Sequence, residues 1–481
     1  MLAMIRDGIT FDDVLLLPRR SRVFSRKDIS TETKLSRNIS LHIPLVSANM
    51  DTVTEARMAR AMAERGGIGI IHRFLSIERQ VEEVRKVKRA QNTTIDDPIT
   101  VVPTQTIGDV EKIMEREGIS AVLVVSDSPE NRSRNTKKLV GILTRRDLLF
   151  ETIQTKKVSD VMTKNVITAP PTISFDKARE ILHAHKIEKL PLVTKSKELV
   201  GLMTLRDILE KIKNPHAAKD KKGRLLVGAA VGVKDDALPR TQKLIGAGAD
   251  VIVVDIAHGH NERALQTVRG LRKAFGKRVE IIAGNIATAE AARDLIRAGA
   301  DGLKIGIGPG AACTTRIVTG VGVPQLTAIF DVVKISKKYK IPVIADGGVK
   351  NSGDFAKALA AGANSVMVGG LLAGCKESPG EYIMDRGTAY KYYRGMASFE
   401  AGSDKARIDG GADGFSRAPE GSSGKVPYRG DAAMVINDLI AGLRSSMSYL
   451  GAHTLDVFYK NARFVRMTQA GMYESKPHGV E

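Results

Sequence analysis

Short, continuous apolar segments alternate with longer amphipathic segments along most of this chain. Three of the apolar segments are 251–255, 281–283 and 303–305, and an amphipathic helix is predicted between the last two, over 288–298. Apolar runs without polar alternation are typical of strands that are buried on both faces of a parallel sheet. The pattern therefore predicts repeated strand–helix units joined in parallel.

A four-residue repeat marks the junctions between these units. Ala-Gly-Ala-Asp occurs at 247–250 and 298–301, and Ala-Gly-Ala-Asn occurs at 361–364. Each copy ends a predicted helix and precedes a predicted strand, the last of which covers 365–369. The apolar segment 44–48, followed by an alanine-rich helix, is a further unit. We predict an α/β fold, a closed (β/α)8 barrel, with a doubly wound parallel sheet as the alternative.

A different repeat lies between the unit at 44–48 and the remaining units. Residues 139–149 and 199–209 are similar copies, and in each an apolar strand ends in Thr-x-Arg-Asp and leads into a predicted helix. A second apolar strand precedes each copy, at 121–125 and 190–193. Because the barrel pattern stops before this region and resumes after it, the sequence predicts an inserted module.

Composition narrows the class of protein. The chain has 481 residues, 43% of them apolar, and only two cysteines. The length favours more than one domain, and the apolar content favours an α/β enzyme. The low number of cysteines favours a reducing compartment and argues against a disulfide-stabilised scaffold. No apolar run reaches the roughly 18 residues that span a bilayer, and the first residues lack the apolar core of a signal peptide. We therefore expect a soluble, cytoplasmic protein without a membrane partner.

The net charge of +20 raises the question of nucleic-acid binding. Lysine and arginine are spread along the whole chain, without a basic stripe interleaved with aromatic residues and without helix-turn-helix or zinc-ligand spacing. We interpret the charge as a basic surface that attracts phosphorylated substrates, and we do not expect a nucleic-acid partner.

The most informative segment is 306–316, which reads Gly-Ile-Gly-Pro-Gly-Ala-Ala-Cys-Thr-Thr-Arg. It presents Cys313 from a glycine-rich loop, directly after a predicted strand and next to the hydroxyls of Thr314 and Thr315. Glycine is costly in entropy unless the backbone must bend or approach a ligand, and a thiol becomes a strong nucleophile once its thiolate is favoured. We interpret Cys313 as a covalent nucleophile, with a small buried cysteine in a turn as the alternative.

The repeat in the inserted module resembles a tandem pair of CBS modules, over 94–214. In such pairs a threonine and an aspartate face the ribose of a bound nucleotide. The resemblance thus implies regulatory contacts to adenine or guanine nucleotides from Thr144, Asp147, Thr204 and Asp207. The residues alone leave a second interpretation open, in which the two aspartates cap the helices that follow them.

Several further segments resemble the IMP dehydrogenase and GMP reductase family over essentially the whole chain. They are the segments at 10–18 (TFDDVLLLP), 49–53 (NMDTV), 228–232 (GAAVG), 255–260 (DIAHGH), 345–348 (ADGG) and 393–396 (YRGM). The resemblance implies a TIM barrel in two parts, 1–93 and 215–481, interrupted by the CBS pair at 94–214. It also implies an active-site flap at about 394–425.

The resemblance implies the chemistry of a purine nucleotide oxidoreductase. Cys313 would add to C2 of IMP or GMP to form a covalent thioimidate, while NADPH or NAD carries the hydride. Thr315 and Glu420 match the pair that handles protons in this family.

The resemblance also implies binding residues and an assembly. The substrate residues would be Asp346, Gly347, Gly348, Gly369, Tyr393, Gly395, Met396 and Glu420. Asp255, Gly306 and Gly308 would line the cofactor site. Potassium would bind the carbonyls of Gly308, Gly310 and Cys313, together with Glu474 and Ser475 of the partner subunit. The family forms homotetramers, and we expect a homotetramer here, or an octamer when nucleotide binds the CBS pair.

The chain departs from the family pattern at several positions. Ala311 and Gly370 stand where phosphate-binding serines are usual, and Lys476 replaces the residue that commonly follows Glu-Ser. Lys405 and Ala406 stand where IMP dehydrogenases carry an Arg-Tyr dyad that activates water. A reductase has no hydrolysis to perform, so we expect a GMP reductase. The alternatives are an IMP dehydrogenase, the commoner activity among chains with this insert, and a catalytically weak nucleotide-sensing homologue.

Overall fold

The computed structural model describes residues 5–90, 98–128, 136–149, 151–408 and 418–476. The chain divides into two compact units. The first unit comprises Met1–Ala90, His216–Asp220 and Arg224–Glu481, and the second comprises Gln91–Pro215 with Lys221–Gly223. The main boundaries thus lie at 90/91 and 215/216, where the sequence predicted 93/94 and 214/215. The assignment of the second unit as a CBS pair stays a prediction, and part of the predicted flap, 409–417, lies outside the described residues.

Eight parallel strands form a closed barrel in the first unit. They are β1 Leu45–Ser47, β2 Ile68–Ile71, β3 Val227–Val231, β4 Val251–Asp255, β5 Glu280–Ile286, β6 Gly302–Ile305, β7 Val343–Asp346 and β8 Ser365–Val368. Each strand pairs with the next one along the chain, and β8 pairs with β1 to close the sheet. The predicted barrel is confirmed, and the doubly wound sheet is excluded because such a sheet has open edges.

Helices follow the barrel strands. They are α1 Ala56–Glu64, α2 Ile77–Ala90, α3 Ala237–Ala247, α4 Glu262–Phe275, α5 Ala289–Ala298, α6 Gln325–Tyr339, α7 Ser352–Ala360 and α8 Ala432–Tyr449. The amphipathic pattern predicted α5 from residue 288, but Thr288 is its N-cap and accepts a hydrogen bond from the amide of Ala291. A side-chain oxygen at this position satisfies an amide that has no partner within the helix.

The Ala-Gly-Ala-Asp repeat has a structural role. Gly248 and Gly299 adopt φ values of +99° and +110°, a left-handed conformation that ends α3 and α5. The carboxylate of Asp250 then accepts a hydrogen bond from the amide of Val227 at 2.8 Å. In the same way, the carboxylate of Asp301, which precedes β6, accepts a hydrogen bond from the amide of Ile281 in β5. The repeat therefore stops each helix and fixes the start of a neighbouring strand.

Shorter elements complete the first unit. The additional helices are Phe11–Asp13, Arg26–Asp28, Thr315–Thr319, Gly370–Ala373, Phe399–Ile408, Leu455–Asn461 and Gln469–Glu474. The additional strands are Val14–Leu16, Thr33–Lys34, Ser40–Leu41, Tyr382–Asp385, Thr388–Arg394, Ser423–Pro427 and Phe464–Arg466. Three of these strands, 382–385, 388–394 and 423–427, form an antiparallel sheet between β8 and α8 in the chain. The described part of the predicted flap comprises the ends of two of these strands, the helix Phe399–Ile408 and the connecting residues 395–398 and 418–422.

The second unit contains a three-stranded mixed sheet and a separate antiparallel strand pair. Its strands are Thr100–Val101, Ala121–Val125, Leu139–Thr144, Lys189–Val193 and Leu199–Thr204, and its helices are Ile107–Glu117, Arg145–Leu148, Val158–Val161, Phe175–Ala184 and Leu205–Lys213. The two predicted copies thus have the same local structure, a strand that leads directly into a helix. Across both described units, no helix is long and apolar enough to cross a membrane. The cytoplasmic location stays a prediction.

Candidate active site

The loop that carries Cys313 begins at the carboxyl end of β6. Gly306 has a φ of +150°, and a Cβ atom there would lie 2.1 Å from the carbonyl oxygen of Asp346. Gly308 has a φ of +82°, which L side chains rarely adopt. The carbonyl of Gly310 accepts the amide of Cys313 at 3.0 Å. These glycines let the loop turn tightly across the barrel mouth and present a half-buried thiol.

Three side chains form a hydrogen-bonded row that starts at the thiol. The Sγ atom of Cys313 lies 3.2 Å from Oγ1 of Thr315, to which it donates. The hydroxyl of Thr315 in turn donates to Oε2 of Glu420 at 2.8 Å. A carboxylate at the end of such a row can take the thiol proton through the hydroxyl, which leaves a thiolate. The structure therefore brings Cys313, Thr315 and Glu420 together as the sequence predicted.

Backbone hydrogen bonds hold the cysteine loop against the base of the flap. The amide of Thr314 donates to the carbonyl of Glu420 at 2.9 Å, and the amide of Ser422 donates to the carbonyl of Ala312 at 2.9 Å. A Cβ atom at Gly395 would lie 2.7 Å from the same Ala312 oxygen, so only glycine fits there. The amide of Gly395 donates to Ser422. The carboxylate of Glu420 is thus placed by main-chain pairing, which is more rigid than side-chain contact alone.

A buried lysine lies beneath the loop, inside the barrel. Nζ of Lys304 is 2.9 Å from Oδ1 of Asp255 and 2.9 Å from Oδ2 of Asp346, and it also contacts Oδ1 of Asn285. The Lys304 side chain is 2% exposed. Burial by itself lowers the pKa of a lysine, but here the two carboxylates outweigh burial and raise the pKa of Lys304. Lys304 therefore stays charged and ties β4, β5, β6 and β7 together at one level of the barrel.

The carboxylates on either side of Lys304 are two predicted site residues. Burial raises the pKa of the Asp255 carboxyl, but Lys304 and then Arg73, whose Nε lies 3.8 Å from Oδ2 of Asp255, outweigh it and hold that pKa below its usual range. Asp346 also accepts a hydrogen bond from Asn285 at 2.9 Å. Both predicted residues lie at carboxyl ends of barrel strands, where parallel barrels carry their chemistry.

A cavity of about 400 Å³ opens on the β7 and β8 side of the loop. Its wall includes Ala311, Gly370 and Tyr393, and the basic residues Lys350 and Arg429. A Cβ atom at Gly370 would lie 3.8 Å from Cβ of Ala311. The two positions that lack the usual serines therefore lie side by side in one cavity, which the basic residues line.

The other predicted substrate residues lie around the same mouth. Gly347 and Gly348, directly after β7, have φ values of +93° and +82°. Gly369 follows β8, and a Cβ atom there would lie 3.3 Å from the Tyr393 hydroxyl. Burial raises the pKa of Tyr393 to about 12, so its hydroxyl stays protonated. Met396 accepts the amide of Asp51 on its sulfur at 3.3 Å.

An arginine at the end of the 388–394 strand connects the flap helix to the barrel. The guanidinium of Arg394 donates two hydrogen bonds to Oδ2 of Asp51, at 2.9 and 2.6 Å. Its other terminal nitrogen lies 2.8 Å from Oδ2 of Asp404, on the helix Phe399–Ile408. Burial lowers the pKa of a guanidinium, but these two aspartates outweigh burial and raise it. Arg394 thus anchors the helix that carries Lys405.

Glu474 and Ser475, which were predicted to complete a cation site, belong to the last described segment of the first unit. Glu474 ends the helix Gln469–Glu474, and the hydroxyl of Ser475 donates to the carbonyl of Gly471 within that segment, at 2.8 Å. The expectation that Glu474 and Ser475 serve a partner subunit is not tested within one chain.

The four residues predicted to contact a regulatory nucleotide lie in the second unit. Asp147 accepts both the amide and the hydroxyl of Thr144 at 2.7 Å, and Asp207 accepts those of Thr204 at 2.9 and 2.6 Å. The capping interpretation is thus observed for both aspartates. Thr144 and Asp147 also line a cavity of about 330 Å³, and their contact with a nucleotide stays a prediction.

Sequence reasoning missed Lys304, Asn285 and Arg394. Lys304 was counted within an apolar strand, although a lone charge inside a buried strand is itself a signal of a paired interior group. Asn285 and Arg394 carried no comparable signal, because their partners are distant in sequence.

Comparison with known proteins agrees with this geometry. Residues 8–478 match the model of the IMP dehydrogenase / GMP reductase domain. The chain is 51% identical to the inosine-5'-monophosphate dehydrogenase of Nitrosopumilus maritimus, over 99% of both chains. It is 50% identical to that of Aquifex aeolicus, over 99% of this chain and 96% of the other. Among solved structures it resembles a cysteine-to-alanine variant of GMP reductase from Trypanosoma brucei in complex with guanosine 5'-monophosphate. That likeness has a TM-score of 0.89 and 45% identity, over 100% of this chain and 99% of the other.

The matches extend over the barrel, the inserted unit and the flap alike, so they apply to the whole protein and not to a shared fold alone. The chain belongs to the IMP dehydrogenase / GMP reductase family, and it is an NAD(P)-dependent oxidoreductase of purine nucleotides.

Proposed function

We propose that this protein is a GMP reductase, which converts GMP, NADPH and two protons to IMP, ammonium and NADP. The observation that carries the proposal is the flap helix Phe399–Ile408. It has Lys405 and Ala406 where water-activating Arg-Tyr dyads occur in IMP dehydrogenases, and the sequence has no tyrosine between Gly395 and Pro427. Ala406 has no group that holds a proton, and Lys405 lines a separate cavity. A reductive reaction needs no activated water.

Cys313, Thr315 and Glu420 are the residues of this chain that would carry out nucleophilic attack and proton transfer. Transfer of the thiol proton through Thr315 to Glu420 produces a thiolate, which attacks C2 of the purine. The carbon–nitrogen bond to the 2-amino group then breaks, and the proton held at Glu420 returns through Thr315 to the departing amine. The thioimidate on Cys313 remains. When bound, the nicotinamide cofactor would supply the hydride that C2 needs, and Cys313 would then leave as a thiolate, which gives IMP.

The residues around the thiol fit a purine nucleotide and a nicotinamide group. Gly306 carries no side chain that would crowd the backbone of Asp346, and the half-buried carboxylate of Asp255 at the end of β4 offers a hydrogen-bond acceptor. These residues, with Gly308, would hold the nicotinamide nucleotide, and Asp346 would accept the ribose hydroxyls of the substrate.

The cavity at Tyr393 would hold the substrate phosphate. Gly347, Gly348 and Gly369 would offer amides to it, and Lys350 and Arg429 would compensate for the missing serines. Tyr393, Gly395 and Met396 would contact the nucleotide from the flap side.

IMP dehydrogenase is the second candidate. The curated relatives named above carry that name, and several others at 47–48% identity do as well. The Thr315–Glu420 pair could take a proton from water as well as from a thiol. In this case the same thioimidate would be hydrolysed to XMP, and NAD would accept the hydride.

A side-by-side assay distinguishes the two candidates. The purified protein is given GMP with NADPH, and separately IMP with NAD, while nicotinamide absorbance is followed. We expect GMP-dependent oxidation of NADPH to exceed IMP-dependent reduction of NAD by about 10²-fold or more, which is the lower range of what general-base catalysis contributes to hydrolysis. Faster steady-state oxidation of IMP would reject the reductase and favour the dehydrogenase.

The family resemblance implies two further properties of this protein. Backbone carbonyl oxygens, such as those of Gly308, Gly310 and Cys313, can replace the hydration shell of a potassium ion. We propose potassium binding completed by Glu474 and Ser475 of the partner subunit in a homotetramer. We also propose that adenine or guanine nucleotides bind the second unit near Thr144 and Asp147, where Arg145, Arg146 and Lys186 line the same cavity.

A further inference from the structure

The cavity at Tyr393 is larger than a single phosphate group needs. Its volume is about 400 Å³. Since a water molecule in the liquid takes about 30 Å³, a space of this size holds on the order of ten water molecules. The phosphate of a nucleoside monophosphate presents only three terminal oxygens. Much of the cavity would therefore stay unfilled when a monophosphate is bound.

Two small residues leave part of this space open. A Cβ atom at Gly370 would lie 3.8 Å from Cβ of Ala311 and 4.0 Å from the Tyr393 hydroxyl, which are ordinary van der Waals distances. Gly370 lies in the first turn of the helix Gly370–Ala373, and Ala311 is exposed in the cavity wall. Larger side chains would therefore fit at both positions, and packing does not require the small ones.

Arg429 lies farther along the wall of the same cavity. Its amide donates to the carbonyl of Gly374 at 2.8 Å, and Gly374 directly follows the helix Gly370–Ala373. Four helical residues rise by about 6 Å, so Arg429 joins the cavity at the end of this helix that lies about that far from Gly370. The Arg429 side chain is exposed and forms no ion pair with any residue that the structure describes.

The other two basic residues of the cavity already have carboxylate partners. Nζ of Lys350 contacts Oδ2 of Asp12, and Nζ of Lys425 contacts Oδ2 of Asp385. Among the described residues, none that lines the cavity is acidic. The cavity thus has a net positive wall, in which the guanidinium of Arg429 is available to an anionic ligand.

We propose that the cavity at Tyr393 holds a second phosphate, so that the active site binds purine nucleoside 5′-diphosphates as well as monophosphates, with Arg429 contacting the second phosphate. The proposal rests on the proposed function for the position of the purine at Cys313 and of the first phosphate beside Tyr393. A guanidinium binds phosphate oxygens through two parallel charge-assisted hydrogen bonds, each about twice as strong as a neutral one. Ala311 and Gly370 are specificity-determining residues, because they leave the way from the first phosphate to Arg429 open.

Protection of Cys313 from alkylation measures binding at this site without any turnover. The full-length protein is treated with iodoacetamide at increasing concentrations of GMP or GDP, and mass spectrometry of the intact chain gives the alkylated fraction. Cys375 is fully buried, so the modification reports on Cys313. A nucleotide that binds elsewhere in the protein leaves the thiol uncovered and is not counted.

We expect GDP to protect the wild type with an apparent Kd within about tenfold of that of GMP, because the purine and first-phosphate contacts are shared. Arg429→Gln should weaken protection by GDP by roughly tenfold and protection by GMP by less than about threefold. Ala311→Ser combined with Gly370→Ser narrows the cavity and adds two hydroxyls at the first phosphate, so it should strengthen GMP and weaken GDP. Arg297→Gln, an exposed change in the last turn of α5, controls for the loss of one positive charge and should change neither.

Three results would overturn the proposal: protection by GDP more than about tenfold weaker than by GMP in the wild type, a loss in Arg429→Gln that is no larger for GDP than for GMP, or a double serine variant whose preference is unchanged. A protein that shows the expected differences but oxidises IMP faster than it reduces GMP would reject the proposed function and retain this inference. Reduction of GMP together with protection by GMP alone would do the reverse. Absence of protection by both nucleotides would reject both.

Discussion

Replacement of Cys313 by alanine is expected to lower GMP-dependent oxidation of NADPH by about 10⁴-fold or more, with GMP binding changed by only a fewfold. The thiol is the atom that forms the bond to C2, and neither Thr315 nor Glu420 can replace it as a nucleophile. The loop geometry depends on Gly306 and Gly308 and on main-chain pairing, so it should persist in the variant. Initial rates and calorimetric titration of GMP measure the two quantities.

The other cysteine provides a matched control. Cys375 is fully buried, and burial raises the pKa of its thiol to about 12, so it is protonated and inert. Cys375→Ala should keep nearly wild-type turnover. Residual activity above about 1% in Cys313→Ala, or a large loss in Cys375→Ala alone, would contradict the assignment of the nucleophile.

Replacement of Lys304 by methionine is expected to lower the free energy of unfolding by about 3–5 kcal/mol, the usual cost of removing one partner from a buried ion pair. The methionine would leave Asp255 and Asp346 close together inside the barrel without a counter-ion. Thermal and denaturant unfolding measure the change. Turnover should fall as well, because both carboxylates lie at the active site.

The pH dependence of Lys304→Met distinguishes this cause from simple loss of packing. Without the lysine, burial and mutual repulsion raise the pKa of a carboxyl in the folded state above its unfolded value. The folded variant then binds a proton that the unfolded chain does not, so its stability deficit should shrink as pH falls from 7 towards 5. Lys273→Met, an exposed change on α4, should stay within about 0.5 kcal/mol at each pH. A deficit that does not vary with pH would contradict the electrostatic explanation.

The barrel was predictable from sequence because its signals are local. Continuous apolar runs marked strands such as 251–255, and the Ala-Gly-Ala-Asp repeat marked helix ends. The structure supplies the reason for the repeat, since Gly248 takes a left-handed conformation and Asp250 bonds the first amide of β3. Local signals also predicted the cysteine loop, because Gly306 and Gly308 are needed at positive φ.

The interior of the site could not be predicted in the same way. Lys304 contacts Asp255 and Asp346, which are 49 and 42 residues away, and Arg394 contacts Asp51 across 343 residues. Such pairs depend on the register in which strands close the barrel, and no local pattern records it.

The aspartates of the Thr-x-Arg-Asp repeat show the converse. Their capping contacts are local and observed, whereas a regulatory role needs a ligand that only binding experiments can supply.

The release of ammonia tests the reductase assignment most directly, because only the reductive reaction breaks the bond to the 2-amino group. GMP labelled with nitrogen-15 at that group is incubated with the wild type and NADPH, and labelled ammonium and oxidised cofactor are quantified together. We predict one labelled ammonium for each NADPH oxidised, and neither product with Cys313→Ala. No labelled ammonium from GMP, combined with steady production of XMP and NADH from IMP and NAD, would contradict the proposed function.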